Sequence, residues 1–399
     1  MKILVVPDSL WGDLSGHRSA KYLIKAFSAL NINIAVYASI INLTNKQNNE
    51  IKKHNCKFYP KLEYKYTQQI FNKNAYQEFQ NVVNDFKPDY VFYFGTIKNK
   101  ITIDYCLKNK IKYFYLPLTN EYYCIKHYAG LNNSPCYQCL HGSLIAPLLN
   151  KCKPSNDYNF LKYVKDKTIE LKSHKRIVNA TKILGYSQNQ LDTLIEYGVN
   201  KDKTVKLPIF FNPETSNGIK PKKGEKFLIT GQFLSEKGLN LIPEMIKKTT
   251  KVKFKAIIGK NISDQIIKNY NLEIFVNDGR LEIIDYLETH ELFLKELSVA
   301  KGVLIPSYYP TTGEFTMVES LMFSKPVVVF NSGIHKEVFV NRKNGMVSNV
   351  NNLDHYFNNI QELNNDDDLL KTVSSGAKEL FNELTSFDRF KNDVKKLFN

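Results

Sequence analysis

Two glutamates, Glu314 and Glu319, lie in the segment PTTGEFTMVES, between the apolar run GVLIP and the apolar segment LMFSKPVVVF. Taking a carboxylate out of water is costly unless a partner compensates for it. A carboxylate can accept hydrogen bonds from two hydroxyl groups at once, and the vicinal diol of a ribose or a hexose offers such a pair. A favourable interaction with a helix dipole would account for Glu314, but not for Glu319, which lies among Met317, Val318 and Leu321. The pattern therefore favours a site that binds sugar hydroxyls.

A lysine follows a glycine-containing turn earlier in the same half of the chain. The segment FLITGQFLSEKGLNLI, residues 227–242, predicts a strand, a turn at Gly231 and Gln232, and a helix that begins near Gly238. Such a turn presents backbone N–H groups and a helix N-terminus to an anion, and Lys237 adds a point charge. A phosphate group suits that chemistry. A glycine and a lysine at a strand-to-helix turn, however, more often only form the turn and bind no ligand.

These residues need a fold that brings distant segments to one place. Short β-branched and aromatic runs alternate with helical patterns, for example KILVVP and YVFYFG in the first half and KFLITG, GVLIPS and PVVVF in the second. Buried strands separated by helices predict parallel sheets of the doubly wound α/β class, in which ligands bind at the carboxyl ends of the strands. The segments after KFLITG and GVLIPS should then emerge at the same edge of one sheet.

The strand pattern restarts once, which indicates two domains. The polar segment ETSNGIKPKKGE predicts a linker over residues 212–226. We predict an N-terminal domain over 1–211, with a cysteine-rich insertion at 121–154, and a C-terminal domain over 227–380. Residues 381–399 contain apolar residues at helical spacing and predict a helix, which we expect to pack back on the N-terminal domain.

Length and composition limit the classes of protein. With 399 residues, of which 43% are hydrophobic and 24% charged, the chain is long enough for two folded domains and has the composition of a globular protein. No apolar run approaches the roughly 18 residues that a membrane span needs, and MKILVV is too short for the core of a signal peptide. We therefore expect a cytoplasmic protein.

The net charge of +16 is uneven along the chain. Residues 1–200 hold 27 Lys and Arg against 14 Asp and Glu, whereas residues 201–399 hold 28 against 25. The surplus in the first half indicates either an acidic partner or a solvated basic surface. Anionic lipid headgroups and nucleic acid are the two candidate partners, and peripheral association with the inner face of an anionic membrane stays open.

Four of the six cysteines, Cys124, Cys136, Cys139 and Cys152, are close together in the sequence. Cytoplasmic thiols are kept reduced, so the C-x2-C core suggests a zinc site rather than disulfides. Four thiolates leave no open coordination position, so a zinc ion held here would be structural. Unligated buried cysteines are the alternative.

The order of the motifs resembles the donor-binding domain of glycosyltransferase family 4, retaining enzymes that use nucleotide sugars. The resemblance covers residues 227 to about 350, through GQFLSEKG and IPSYYPTTGEFTMVESLMFSKPVVVFNSGIHKEVFVNRKNGMV, and extends more loosely to the N-terminal PDSLWGDLSGHRSAKYLIKAF. It implies the GT-B fold, in which two Rossmann-like doubly wound domains face each other across a cleft. It also implies a nucleotide-sugar donor bound by the C-terminal domain, an acceptor bound by the N-terminal domain, and no obligatory catalytic metal.

The resemblance implies roles for individual residues. Glu319 matches the glutamate that holds the donor ribose, Lys237 matches the lysine on the donor pyrophosphate, and Gly16 matches the first-loop glycine that approaches the same phosphates. Three further residues lie in segments that correspond to donor-binding loops of relatives: Gly231, Gly333 and His335.

The chain also departs from the family pattern. Relatives usually carry an arginine where this chain has Gln232, and Arg18 is the candidate that would restore the missing charge. Relatives place seven residues between the two glutamates, whereas Glu314 and Glu319 are separated by four, and the position at family spacing is Thr311. Relatives commonly hold a histidine just before the aromatic segment that here reads LPLTNEYYC, and this chain has Thr119, Asn120 and Glu121 instead.

The sequence therefore predicts a retaining hexosyltransferase that moves a sugar from a nucleoside diphosphate to a saccharide or lipid-linked acceptor, in the synthesis of a surface polysaccharide or glycoconjugate. Glu314 and Lys237 are its predicted catalytic residues. Two alternatives stay open. One is a GT-B relative with a degenerate site, which only binds or epimerises a sugar nucleotide. The other is a basic zinc-knot protein that binds nucleic acid, for which the sequence offers no recognised motif, so that no nucleic-acid partner is expected.

Overall fold

A computed structural model of the chain describes residues 1–7, 15–39, 56–61, 73–95, 101–153, 159–207, 209–212, 216, 218–230, 235–258, 263–285 and 287–398. The chain divides into two compact units. Unit 1 comprises Met1–Tyr128, Tyr137–Phe210 and Phe387–Asn399, and unit 2 comprises Ala129–Cys136 and Phe211–Ser386.

The strands and helices of the described residues alternate along most of the chain. The strands are β1 (Lys2–Val6), β2 (Asn33–Ser39), β3 (Lys57–Lys61), β4 (Tyr90–Phe94), β5 (Tyr113–Leu116), β6 (Gly130–Leu131), β7 (Ser134–Pro135), β8 (Lys182–Gly185), β9 (Thr204–Lys206), β10 (Lys226–Thr230), β11 (Lys253–Ile257), β12 (Leu281–Ile284), β13 (Gly302–Ile305), β14 (Val327–Phe330) and β15 (Met346–Ser348). The helices are α1 (Ser15–Ala29), α2 (Lys73–Phe86), α3 (Ile101–Lys108), α4 (Ala146–Leu149), α5 (Phe160–Val178), α6 (Gln188–Glu196), α7 (Ile242–Lys248), α8 (Ser263–Asn269), α9 (Glu273–Asn277), α10 (His290–Ser298), α11 (Phe315–Met322), α12 (His335–Val338), α13 (Leu353–Asn365), α14 (Asp367–Leu384) and α15 (Phe387–Lys395). None of the described helices combines the length and the apolar content that a membrane crossing requires.

Unit 1 is built on a parallel sheet. Its described strands follow the order β3-β2-β1-β4-β5-β8-β9, and every pair in it is parallel. The central strands KILVV, YVFYF and YFYL are almost wholly buried, which suits their β-branched and aromatic side chains. The order 3-2-1-4-5 is that of a doubly wound domain, in which the chain starts at the centre and winds outward in both directions.

The C-terminal helix α15 belongs to unit 1. Phe390 stacks on Phe210 with the ring centroids 4.8 Å apart, and Phe398 packs beside Phe27 and Phe114. The sequence predicts a terminal segment that begins at residue 381, but α14 continues to Leu384 and is grouped with unit 2. The difference arises because the apolar residues that end α14 are buried in the helical pattern of that same helix.

Unit 2 contains the second parallel sheet. Its described strands follow the order β12-β11-β10-β13-β14-β15, which has the doubly wound pattern 3-2-1-4-5-6. The strands GVLI and VVVF are buried at every residue. A cluster of buried side chains that includes Phe227, Leu304 and Val328 forms the core around this sheet.

Two segments are grouped differently from the predicted domains. Residues 129–136, predicted as part of the N-terminal domain, form the β6-β7 hairpin and belong to unit 2. Gly130 lies against the side chains of Glu236 and Tyr308, so closely that a Cβ atom there would be 2.8 Å from Glu236. The predicted linker at 212–226 is also grouped with unit 2, and the N–H of Lys222 donates to the carbonyl of Ser298.

Candidate active site

Three loops of unit 2 leave its sheet side by side. β10 pairs with β13, with Phe227 opposite Gly302, and β13 pairs with β14, with Val303 opposite Val327. All three strands are parallel, so their carboxyl ends lie at one edge of the sheet. The loops and helices that follow them carry Lys237, Glu314, Glu319 and His335, which are thus brought to one edge as the sequence analysis expected.

Two glycines allow these loops to approach one another closely. Gly238 has φ +72°, and a Cβ atom there would be 2.0 Å from the carbonyl oxygen of Pro306. Gly333 has φ +54°, and a Cβ atom there would be 2.3 Å from the backbone N and O of Thr311. Glycine adopts a left-handed backbone conformation readily and has no side chain that would clash. Glycine at these two positions therefore allows the three loops to pack closely.

We expect Gly333→Ala to lower the free energy of unfolding by about 2 to 4 kcal/mol, because it adds backbone strain and a clash with Thr311. Chemical unfolding of the wild-type and variant proteins measures the difference. The matched control is Gly279→Ala, since Gly279 also has a positive φ, +76°, but has no atom within 4 Å of its Cβ position. The control should lose only about 1 to 2 kcal/mol. Equal losses in the two variants would show that the close approach to Thr311 contributes nothing.

The first glutamate pairs with the lysine of the preceding loop. Glu314 Oε1 lies 3.3 Å from Lys237 Nζ, and Glu314 Oε2 lies 3.0 Å from His335 Nε2. The side chain of His335 is fully buried, and those of Glu314 and Lys237 are 9% and 19% exposed. Because an ionised carboxylate only accepts hydrogen bonds, Nε2 of His335 is the donor in this pair. One carboxylate therefore joins the lysine loop to the His335 loop.

The charges of this cluster shift the pKa values of its members. Burial raises the pKa of Glu314, but the Lys237 charge and the hydrogen bond from His335 outweigh burial and lower that pKa from 4.5 to about 2. Burial lowers the pKa of Lys237, but Glu314 and the nearby Tyr309 outweigh burial and hold that pKa well above its usual value. Both groups are therefore charged throughout the physiological pH range.

The lowered pKa of Glu314 makes a prediction about acid stability. The folded-state pKa of about 2 is below the ordinary 4.5, so the contribution of Glu314 is complete above pH 4.5 and is lost as the pH falls towards 2. That contribution amounts to roughly 3 kcal/mol. We expect the difference in unfolding free energy between the wild-type protein and Glu314→Gln to shrink over this interval, as measured by denaturant titrations at several pH values. Glu362→Gln, which removes a half-exposed ion pair with Arg342, should show no comparable trend.

The second glutamate has a different partner, which was not predicted from the sequence. Glu319 is 1% exposed, and Nε2 of His290 donates a hydrogen bond of 2.6 Å to its Oε1. His290 is the first residue of α10, directly after the N-cap Thr289, and α10 follows strand β12 of the same sheet. A signal was available in the sequence, because a histidine at the start of a helix that follows a parallel strand lies near the carboxyl edge.

The carboxylate that pairs with Lys237 is that of Glu314, and the predicted role of Glu319 at the donor ribose stays a prediction. The structure also adds Tyr309, whose ring lies 5.1 Å from Lys237 Nζ in a cation–π geometry. Helix α11 begins at Phe315, with Glu314 at its N-cap position. Thr311, at the family spacing for the first glutamate, is 1% exposed, and its Oγ1 has no hydrogen-bond partner among the described residues.

The other predicted site residues are distributed as follows. Gly16 and Arg18 lie in the first turn of α1 in unit 1. Gly231 and Gln232 lie outside the described residues. The roles of these four residues at the donor phosphates stay predictions. His335, predicted to contact the donor, has its buried ring on Glu314 in this structure.

The predicted zinc site is not found. All four cysteines are described, and the described part of the chain has no group of three or more His, Cys, Asp or Glu side chains arranged to hold a metal ion. Cys136 belongs to the β6-β7 segment of unit 2, whereas Cys124, Cys139 and Cys152 belong to unit 1. Close spacing in the sequence does not by itself bring four thiol side chains to one metal ion.

Comparison with known proteins relates the second half of the chain to a family. Residues 212–380 match Glycosyl transferases group 1. An uncharacterized glycosyltransferase of Methanocaldococcus jannaschii is 26% identical over 226 residues, which are 53% of this chain and 57% of the relative. The chain thus spans a little over half the length of this curated relative. The residues of the group 1 match include Lys237, Glu314, Glu319, His290 and His335.

Solved structures resemble the chain over its whole length. The Anabaena protein HepE in complex with UDP has a TM-score of 0.67 at 12% identity, over 100% of this chain and 99% of that one. The sucrose-phosphate synthase of Thermosynechococcus elongatus has a TM-score of 0.71 at 11% identity, over 100% and 98%. S. aureus TarM, solved with UDP among its ligands, has a TM-score of 0.66 at 14% identity, over 100% and 99%. Together with the two parallel sheets, these matches confirm the predicted α/β GT-B fold class.

Proposed function

We propose that this protein is a retaining glycosyltransferase of family 4, which transfers a hexose from a nucleoside diphosphate to a saccharide or lipid-linked acceptor. The observation that carries the proposal is the convergence of Lys237, Glu314 and Glu319 at the carboxyl edge of a doubly wound sheet, within the group 1 match. Solved relatives of the same fold bind UDP and UDP-glucose. We assign the product to surface polysaccharide or glycoconjugate synthesis, in the cytoplasm or at the inner face of a membrane.

Each acidic or basic group at the edge then has a distinct task. Lys237 neutralises the charge that builds on the departing diphosphate, and stabilisation of developing charge usually contributes more to catalysis than any other single effect. Glu314 acts as a positioning residue, since its ion pair with Lys237 and its hydrogen bond from His335 hold the ammonium group in place. Glu319 accepts hydrogen bonds from the ribose diol, and His290 orients that carboxylate.

The test begins with a panel of nucleotide sugars and the corresponding nucleoside diphosphates in thermal unfolding assays. A bound ligand raises the melting temperature by mass action. The nucleotide sugar that gives the largest rise is then incubated with saccharide and lipid-linked acceptors, and release of the nucleoside diphosphate is measured. NMR of the product reports whether the anomeric configuration is retained. A protein that no nucleotide sugar stabilises would contradict the proposal.

Binding without turnover on any acceptor would favour the degenerate-site alternative. Two departures from the family pattern give that alternative its basis, namely Gln232 in place of the usual arginine and Thr311 at the family spacing of the first glutamate. Slow hydrolysis of the bound donor in the absence of an acceptor would count against it, because hydrolysis requires the leaving group to be stabilised.

A further inference from the structure

The exposed apolar side chains of the described residues are concentrated in one part of unit 1. Of the fifteen large apolar residues that are exposed, eight lie between residues 144 and 171. They are Leu144, Ile145, Leu148, Leu149, Phe160, Leu161, Val164 and Leu171, which we call the apolar patch. Single exposed apolar residues are ordinary, but a concentration of this kind marks an interaction surface.

The patch is formed by two neighbouring segments. Leu144 to Leu149 include the short helix α4, and the remaining members lie on α5. The hydroxyl of Tyr163, on α5, donates a hydrogen bond to the backbone carbonyl of Leu144. This bond joins the start of α5 to the segment that carries α4.

Helix α5 carries apolar residues on both its buried side and its exposed side. Its inner face carries Tyr163, Ile169 and Ile177, which are buried in unit 1. Leu161, Val164 and Leu171 are exposed and recur at helical spacing, so they form a stripe on the outer side. Folding of unit 1 therefore buries the inner side of α5 and leaves the outer stripe exposed.

The surroundings of the patch are basic. Residues 144–175 contain seven lysines and three acidic residues, and one of those acids, Glu170, is buried in a pair with Lys167. Lys151 and Lys153 follow α4 and are exposed, and Lys172 and Lys175 are exposed on the last turns of α5. Apolar side chains framed by lysines are the pattern of a surface that enters the headgroup region of a bilayer, where the lysines meet anionic lipid.

We propose that the apolar patch, with its surrounding lysines, docks unit 1 on an anionic lipid bilayer. A second copy of the chain would fit less well, because a symmetric interface sets the same surface against itself and would bring the lysines of both copies together. The surface lies on unit 1, and it does not depend on the donor chemistry assigned to unit 2. Docking would bring the acceptor-side unit to the membrane on which a lipid-linked acceptor resides.

The test is flotation of the full-length protein with two kinds of vesicle, one of phosphatidylcholine alone and one in which phosphatidylglycerol is added. We expect the phosphatidylglycerol vesicles to bind the protein at least about tenfold more tightly, and high salt to weaken that binding. The double variant Leu149→Glu/Leu161→Glu should lose binding by about tenfold or more, because it puts two carboxylates into the apolar contact. Lys153→Gln/Lys175→Gln should weaken binding to the anionic vesicles alone.

The matched control is Ile274→Glu, which makes the same kind of change at a side chain of unit 2 that is 67% exposed, compared with 76% for Leu149 and 79% for Leu161. It should bind vesicles like the wild-type protein. The proposal is overturned if the wild-type protein does not bind phosphatidylglycerol vesicles, if the control loses binding equally, or if light scattering shows a dimer that Leu149→Glu/Leu161→Glu converts to a monomer.

The same samples separate this surface from the donor site. Leu149→Glu/Leu161→Glu should keep the wild-type melting temperature and the wild-type stabilisation by UDP, because both residues are exposed and belong to unit 1. Failure of UDP to stabilise any of the proteins would count against the proposed function and leave the vesicle result standing. Loss of both properties in the double variant would indicate misfolding and would overturn the assignment of these residues to a docking surface.

Discussion

Replacing Lys237 with methionine is expected to lower kcat/KM for the donor about 100- to 1000-fold, which corresponds to roughly 3 to 4 kcal/mol of transition-state stabilisation. Lys237 is the basic residue of the described loops at this sheet edge that pairs with Glu314, and its ammonium group keeps its charge because the carboxylate raises its pKa. The group would act most strongly on the departing diphosphate, so kcat should fall more than KM rises. Steady-state release of the nucleoside diphosphate measures both constants.

Two further variants separate catalysis from stability. Lys248→Met removes a lysine of the same unit whose ion pair with Asp354 is exposed, and it should leave kcat/KM unchanged. Lys237→Met leaves the Glu314 carboxylate buried with only His335 to compensate it, so the protein should be less stable. Lys237→Met/Glu314→Gln should recover much of that stability and none of the activity. Recovered activity in the double variant would refute a direct role for Lys237.

Replacing Glu319 with glutamine is expected to weaken binding of UDP about 10- to 100-fold, since a charged acceptor is lost from hydrogen bonds worth about 1.5 to 3 kcal/mol. The wild-type protein should prefer UDP to its 2′-deoxy form, because only the former offers a complete diol. Glu319→Gln should bind the two ligands with similar affinity. Isothermal titration with both nucleotides measures the preference directly.

The control for this prediction is again Glu362→Gln, which makes the same chemical change at a half-exposed residue of unit 2. His290→Ala is informative as well. His290 donates to one oxygen of Glu319, so its loss should weaken UDP binding less than Glu319→Gln does, and it should raise KM while kcat stays near the wild-type value. If Glu319→Gln still prefers UDP to its 2′-deoxy form, then Glu319 does not bind the ribose diol.

The two glutamates differ because each has its own basic partner. Glu314 is fixed between Lys237 and His335, and its low pKa keeps it ionised. Glu319 is fixed by His290, which comes from a different strand connection of the same sheet. Both carboxylates thus have a basic partner in the absence of ligand, and these partners offset the free-energy cost of burying a carboxylate. These fixed partners also preorganise the edge, so that less reorganisation is needed when a charged ligand binds.

Local sequence patterns were sufficient for much of the architecture. Runs such as GVLIP and PVVVF are apolar throughout because a strand in a parallel sheet is covered on both faces, and they became β13 and β14. Chain order then fixed which loops share an edge, since parallel strands all point the same way. Lys237 and Glu314 could therefore be predicted as neighbours of one site without knowledge of any contact.

The pairing of side chains within that edge could not be obtained in the same way. Glu314 and Lys237 are 77 residues apart, and Glu319 and His290 are 29 apart. Which carboxylate reaches which base depends on how closely the loops pack, and that is set by Gly238 and Gly333 against neighbouring backbone. A pattern of residue types carries no information about such distances.

Taken alone, the sequence determined the two doubly wound sheets, the order of the loops at the edge of the second sheet and the basic character of the first half, because each depends on residue types and their order. Only the tertiary structure decided that Glu314, rather than Glu319, meets Lys237, that His290 holds Glu319, and that the four cysteines are divided between two units. The reason is physical: strand and helix formation depend on patterns within a segment, whereas these pairings depend on the packing of segments that are far apart in the chain.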